Sequence, residues 1–360
     1  MFGPTRYLEW ARRFYGQVRC DLASSGIPAV SVAELVGVAP VSGQDDPSGW
    51  ARLRTAIARY NDVPEGEAVA ALGTTHALWL AYASTTSPGD EILVETPGYE
   101  PLWRIAEGVG LRVVPFERSP DAGYALDPDR VARALSPRTR LVVVTNLHNP
   151  SGVRASPADL RAVADVAAAR GAALLVDEVY APFDDLTDGA GVFRGSARNL
   201  APNVLAVGSL TKCYGLGPQR IGWMLGPADV VARADDAITA SCGMLPLPHA
   251  HGALRALQHL GALAARTRAR LADKRARAAS WAHETGLSWS EPPAGLFGFA
   301  RLPGAGDLRP RLERAAVAGE VLVAPGSFFG LPNGFRLAWS CPADVLEEGL
   351  ARLASTLRAG

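Results

Sequence analysis

Lysine is almost missing from this chain. Of its 36 Lys and Arg residues only Lys212 and Lys274 are lysines; the rest are arginines. Arginine copies lysine's charge without its chemistry: a guanidinium stays protonated above about pH 12, whereas an amine loses its proton when its surroundings lower its pKa. A nucleophilic amine on a side chain therefore has two possible addresses. Cysteine is sparse too. Cys20, Cys213, Cys242 and Cys341 lie far apart and form no Cys-x-x-Cys pair, which argues against a zinc ribbon or a thioredoxin-like redox motif. The formal net charge is zero, so no basic field is available to attract nucleic acid or an anionic membrane. No apolar run approaches the ~20 residues that span a bilayer, and the segment from Met1 to Trp10 has no apolar signal core. These absences lead us to expect a reduced cytoplasmic enzyme with no metal and with neither nucleic acid nor membrane as partner.

What is present is an alternation of strand-like and helix-like segments. Hydrophobic content of 48% and charged content of 20% over 360 residues suit a globular protein of two or three domains, or of one large domain with a smaller appendage. The runs Leu141 to Thr145, Ala173 to Val176 and Val204 to Val207 are almost wholly apolar, as strands buried on both faces of a parallel sheet are. Ile92 to Val94 and Leu111 to Val114 are further strand candidates. Trp50 to Tyr60 has helical spacing, and Ser156 followed by Pro157 opens a second helix as N-cap and first helical residue. From about residue 230 the texture changes to Ala/Arg/Leu-rich helices between Ala250 and Trp281. Short strands follow at Leu296 to Arg301, Val321 to Val323 and Gly334 to Trp339, then a helix from Pro342 to Leu357. The expected fold is α/β: a large domain (46–245) with a mostly parallel, seven-stranded-type sheet flanked by helices, and a smaller α+β domain (246–360) joined by the amino-terminal segment (1–45).

Ligands of an open α/β sheet sit at the carboxyl ends of its strands, and three consecutive strand ends here carry polar groups. The first runs into Asn146-Leu147-His148-Asn149-Pro150-Ser151-Gly152, the second into Asp177-Glu178-Val179-Tyr180, and the third into Gly208-Ser209-Leu210-Thr211-Lys212. Each has an ordinary explanation alone. Asn-Pro marks turns, an Asp after a strand often caps a helix, and Ser-x-x-Lys is common.

Together and in this order, they resemble the fold-type I pyridoxal-phosphate enzymes of the class I/II aminotransferase family, over about Trp50 to Trp339. The resemblance implies pyridoxal 5'-phosphate as cofactor and an amino-acid-like substrate. Lys212 would hold the cofactor as a Schiff base, then move the substrate's α-proton through a quinonoid intermediate. Asp177 would pair with the pyridine nitrogen, Asn149 and Tyr180 would bond the ring's phenolic oxygen, and Tyr99 would stack on the ring. Gly73, Thr74 and Thr75, a glycine turn entering a helix, would cradle the phosphate on free backbone N–H groups, with Ser209 and Arg220 as further ligands. Arg336 would clamp the substrate carboxylate, with Asn149 beside it and Gly26 in a loop closing over the substrate. The catalytic set is therefore Lys212, Asp177 and Tyr180. His76 has no family role and is read as packed or solvent-facing; Lys274 is read as a surface charge. A homodimer is implied by the resemblance alone.

One departure stands out. Family members usually carry a tyrosine for the neighbouring subunit's phosphate just before the first helix of the large domain, and the stretch from Val41 to Gly49 has none. A narrower resemblance, to capreomycidine synthase-like enzymes, rests on Leu8 to Tyr15, Asp21 to Gly26, His148 to Gly152, Thr211 to Leu216 and Ser340 to Pro342. It implies elimination, replacement or cyclisation, in specialised-metabolite biosynthesis, as the alternative to transamination. Two other classes fit poorly. A regulatory protein on this fold would need a DNA-binding domain ahead of residue 50, and a nicotinamide dehydrogenase would need a Gly-x-Gly-x-x-Gly after a strand.

Overall fold

Tyr7, Trp10, Ala11 and Phe14 recur at helical spacing, and in the computed structural model they form the buried face of α1 (Arg6–Phe14). The structure describes residues 3–30, 48–183, 193 and 195–358; the tyrosine-free stretch at 41–47 lies outside the described residues. A two-residue strand, β1 (Cys20–Asp21), precedes α2 (Gly49–Asn61), whose Leu53, Ile57 and Tyr60 are buried as their spacing anticipates.

The large sheet is then laid down by β2 (Ala68–Leu72), α3 (Gly73–Thr85), β3 (Glu91–Thr96), α4 (Pro101–Gly108), β4 (Arg112–Glu117), α5 (Pro128–Ala134), β5 (Thr139–Thr145), α6 (Pro157–Ala168), β6 (Ala173–Asp177), β7 (Val204–Ser209) and β8 (Ile221–Leu225). Its seven strands run in the order β2-β8-β7-β6-β5-β3-β4. β8 is antiparallel to both its neighbours and the remaining pairings are parallel. The continuous apolar runs have a two-sided explanation. On β5, Leu141 and Val143 enter one core cluster while Val142 and Val144 enter the cluster on the opposite face, because successive side chains alternate across a strand. α6 begins as expected: Ser156 Oγ accepts from the Asp159 N–H at 3.1 Å and the Asp159 carboxylate accepts from the Ser156 N–H at 3.2 Å, with Pro157 at the first helical position.

Two strands carry no clear sequence signal. β2 is alanine-rich and β8 contains a glycine, both of which weaken strand propensity. Tertiary packing explains the glycine: a Cβ at Gly222 would lie 2.6 to 3.0 Å from the backbone of Gly73. Gly222 is what lets the start of α3 press against β8.

The second half adds α7 (Ala228–Cys242), α8 (Leu247–Gln258), α9 (Leu260–Leu271), α10 (Lys274–Glu284), β9 (Ser288–Trp289), β10 (Phe297–Arg301), α11 (Arg309–Val317), β11 (Val321–Leu322), β12 (Ala324–Pro325), β13 (Gly334–Ala338) and α12 (Ala343–Arg358). β12, β13, β10 and β9 form an antiparallel sheet in that order, and β1 pairs parallel with β11. The amino-terminal strand thus lies among carboxyl-terminal elements, and α12 packs on it through Gly349, where a Cβ would lie 2.8 Å from Leu22 Cδ1. Lys274 departs from the expected surface charge. It is half-buried at the start of α10, its amine donates to the Cys341 carbonyl, and burial lowers its pKa. Among the described residues no helix is long and apolar enough to cross a membrane.

Candidate active site

The carboxyl ends of β5, β6 and β7 meet at one cavity of about 400 Å³, lined by Thr74, Thr75, Tyr99, Asn149, Asp177, Tyr180, Lys212 and Arg220. Parallel strands ending side by side bring these residues together although 146 positions separate Thr74 from Arg220. Asp177 closes β6, is 2% exposed, and accepts from the Val179 N–H at 3.0 Å. No salt bridge reaches it among the described residues. Burial first, and the nearby Glu95 carboxylate second among the raising influences, push it up to about 7, against the Val179 N–H and the Lys212 charge. A buried carboxylate with room beside it is a place for a cationic ring nitrogen.

Lys212 carries the complementary perturbation. Burial lowers its amine to about 8, helped by the positive charges of Arg336 and Arg220 and opposed by Asp177. At pH 7 that leaves roughly 300-fold more neutral amine than an unperturbed lysine offers. The neutral form is the nucleophile. Capture of a small aldehyde by the cofactor-free protein should therefore rise about tenfold per pH unit up to about pH 8 and level off above it. Stopped-flow absorbance reads this directly; a rate still climbing at pH 10 would mean the amine is unperturbed.

Three hydroxyls and a guanidinium converge at the start of α3, an arrangement able to take an anion. Thr74 Oγ1 lies 3.1 Å from Ser209 Oγ, and Ser209 Oγ lies 2.6 Å from Thr211 Oγ1. Gly73 sits at φ +77°, and a Cβ there would lie 2.9 Å from Arg220 Cζ and collide with Nη2. Arg220 is itself held at φ +51° and accompanied by an Nη1 bond to the Gly217 carbonyl of 3.3 Å. Gly73→Ala is therefore expected to do two things. It costs about 1 kcal/mol of stability through the left-handed backbone, and, with Arg220 as the expected phosphate ligand, it should weaken pyridoxal phosphate binding at least about tenfold by displacing that side chain. A fluorescence titration of the cofactor on this variant checks the second effect.

Asn149 is fixed by its backbone N–H on Thr145 Oγ1 at 2.9 Å, and its Oδ1 accepts from Arg336 Nη1 at 2.8 Å. Arg336, on β13, is fully buried, and its Nε has no partner. Among the described residues its guanidinium donates only to neutral groups: Asn149 Oδ1, the Tyr7 hydroxyl at 2.5 Å and the Ala23 carbonyl at 3.1 Å. A buried cation in neutral company is a site for an anion. Gly26 reaches Lys212: a Cβ on it would lie 3.4 Å from Lys212 Cδ, and the Ile27 N–H donates to the Lys212 carbonyl at 3.0 Å. The side chain of Ser25 is hydrogen-bonded to the Tyr180 phenol.

Of the residues expected at the site, Thr74, Thr75, Tyr99, Asn149, Asp177, Tyr180, Lys212 and Arg220 line the cavity, whereas Gly73, Ser209, Arg336 and Gly26 stand behind the lining, against Arg220, Thr74, Asn149 and Lys212 respectively. His76 lies outside it, its Nδ1 accepting from the Leu72 N–H at 3.1 Å while its ring stacks on Trp79. Sequence reasoning missed the contributions of α1. Leu8 and Arg12 line the cavity, Tyr7 meets Arg336, and Glu100, next to Tyr99, accepts from the Arg6 and Tyr7 N–H groups at 3.0 and 2.6 Å. The helical spacing of Tyr7, Trp10 and Phe14 could have revealed the helix, but nothing local ties residue 7 to residue 336. Also missed was a buried support behind the site. Arg118 pairs with Glu95 at 2.9 Å, and Glu95 accepts from the backbone and hydroxyl of Thr145, the residue that holds Asn149.

A family model described as aminotransferase class I and II matches residues 42–353. Capreomycidine synthase of Streptomyces vinaceus is 34% identical over 366 aligned positions, covering 97% of this chain and 92% of that protein. Among solved structures, a PLP-dependent aminotransferase from Streptococcus suis matches with a TM-score of 0.89 at 24% identity, covering 99% of this chain and 98% of that one; this is a likeness of fold. The PLP-dependent cyclase OrfR matches at 27% identity with a TM-score of 0.81, over 99% of this chain and 97% of that one.

Proposed function

The chain belongs to the aminotransferase class I and II family and is a pyridoxal 5'-phosphate-dependent enzyme, and from that premise we propose that it acts at the α-carbon of an amino acid with Lys212 as its Schiff-base lysine. The single observation that carries this reading is the convergence on one cavity of a lysine lowered to about 8 and a buried, unpaired Asp177. The residues present fit the cofactor. Gly73, Thr74, Ser209 and Arg220 would hold its phosphate, Asp177 its ring nitrogen, Asn149 and Tyr180 its phenolic oxygen, and Tyr99 one ring face. When bound, the cofactor supplies an electron sink for charge developing at the α-carbon.

The chain's own groups do the rest. Arg336 and Asn149 bind the substrate's carboxylate and so fix which α-substituent faces Lys212. The Lys212 amine takes the α-proton and returns it, a role suited to a base with a pKa near the working pH. Gly26, with Ser25 on Tyr180, lies against the Lys212 side chain and holds its direction. The 1–45, 46–245 and 246–360 division, a homodimer and a place in specialised-metabolite biosynthesis belong to the same reading.

A second reading, elimination–addition with ring closure, draws its support from the similarity to a capreomycidine synthase and to a cyclase. Spectra separate the two. Given an amino acid and no keto acid, a transaminase converts its cofactor once to the amine form and stops. A cyclase turns over repeatedly with the visible band intact. Purified protein showing no lysine-bound visible band at all would sink both.

A further inference from the structure

Arg336 has five N–H donors, and their present use leaves an unresolved geometry. Both on Nη2 are taken, by the Tyr7 hydroxyl at 2.5 Å and the Ala23 carbonyl at 3.1 Å. Nη1 gives one to Asn149 Oδ1, and Nε gives none. A guanidinium grips a carboxylate through two parallel N–H bonds, from Nη1 with Nη2 or from Nε with Nη2. Either pair needs a hydrogen on Nη2. An incoming carboxylate must therefore take the place of the Tyr7 hydroxyl or of the Ala23 carbonyl.

The two are not equally replaceable. Ala23 is backbone, its own N–H tied to Asp21 Oδ1 at 2.9 Å and its neighbour Leu22 tied through its carbonyl to the Ala338 N–H at 2.8 Å. The Tyr7 hydroxyl is a rotor that accepts as readily as it donates, with Tyr15 Oη 3.2 Å away as its other partner. A small tilt of its ring would free Nη2, and the ring goes no farther: it is 3% exposed, 6.1 Å from the Tyr99 ring and 5.5 Å from the Phe329 ring, and its backbone is held by Glu100. A hydroxyl that gives up its acceptor role on Nη2 stays beside whatever replaces it.

We propose that Tyr7 is a ligand of the substrate's α-carboxylate: its hydroxyl occupies a carboxylate-oxygen position on Arg336 Nη2 and donates its O–H to the carboxylate that displaces it. The amino-terminal helix is then part of the substrate site. This rests on reading Arg336 as the carboxylate clamp, so the test separates the two.

The probes are L-alanine and ethylamine, which differ in the carboxylate and a hydrogen, titrated into holoenzyme and followed by the visible absorption band. Wild type binds L-alanine more tightly than ethylamine. Tyr7→Phe should weaken L-alanine binding about tenfold and leave ethylamine unchanged, the size expected for a hydrogen bond to a charged group. A purely structural role would lower the melting temperature or both affinities together, without moving their ratio. L-alanine binding that is unchanged in Tyr7→Phe, or tighter because the fork has been freed, overturns the proposal. Arg336→Lys should abolish the preference; if it does not, the clamp reading fails and Tyr7's role falls with it. Loss in Arg336→Lys with an unchanged ratio in Tyr7→Phe removes Tyr7 alone.

Discussion

Replacing Lys212 with arginine should abolish borohydride-fixable attachment of pyridoxal phosphate and lower turnover by about 10⁴-fold or more. The substitution keeps a cation in the cavity and removes only an amine able to lose its proton. It isolates the property that arginine cannot copy in a chain that uses arginine almost everywhere else. Lys212→Ala should give the same loss. Lys274 cannot compensate, because its amine is committed to the Cys341 carbonyl and it does not line the cavity. Mass spectrometry of the borohydride-reduced protein reads the outcome: the cofactor's mass on the Lys212-containing peptide in wild type, and no adduct in either variant. An adduct retained in the variants would refute the assignment.

Asp177→Asn should produce a protein that is more stable without cofactor and nearly inactive with it. The amide keeps an oxygen for the Val179 N–H and removes the charge. Turnover should fall about 10²- to 10³-fold, the usual cost of losing one preorganised electrostatic group. The stability change has a definite sign. Asp177 is raised to about 7 when folded, so the folded protein holds its proton in a range where the unfolded chain has released it. That stabilisation is complete below the ordinary carboxylate value and is lost as pH rises toward 7. At neutral pH the charged, buried carboxylate costs on the order of 4 kcal/mol at most, and the asparagine removes that cost. Part of the slope survives, because burial raises Glu178 in the same direction, to about 8. Urea denaturation of cofactor-free wild type and variant at pH 5 and pH 7.5 checks this. Equal stability losses with pH in the two proteins would show that Asp177 is not the titrating group. Gain of stability with loss of function marks a residue kept for chemistry.

The elements that were legible share a property: their signal is local and their burial two-sided or strongly one-sided. The runs Leu141 to Val144, Ala173 to Val176 and Val204 to Val207 within β5, β6 and β7 are wholly apolar because both faces are covered. α6 announces itself by Ser156 and Pro157. β2 is weak in signal because it is alanine-rich, and β8 because its residues answer to contact: Gly222 admits the backbone of Gly73, and Trp223 fills space beside Gly208 of the neighbouring β7, where a Cβ would meet the ring at 2.8 Å. Lys274 was misjudged for a related reason. A single half-buried hydrogen bond to a carbonyl 67 residues away leaves no trace in the surrounding charges.

The sequence by itself determined which chemistry this protein has available. It placed one amine, one carboxylate and one amide at the ends of three apolar strands, and parallel strands in consecutive order must end side by side. What the tertiary structure alone decided is how those groups are tuned and what covers them. Lys212 falls to about 8 and Asp177 rises to about 7 because burial and the charges of Arg336, Arg220 and Glu95 act on them from distant parts of the chain. The Tyr7 hydroxyl reaches Arg336 across 329 positions. Desolvation and long-range contact are properties of the packed whole, and no pattern within a window of residues encodes them.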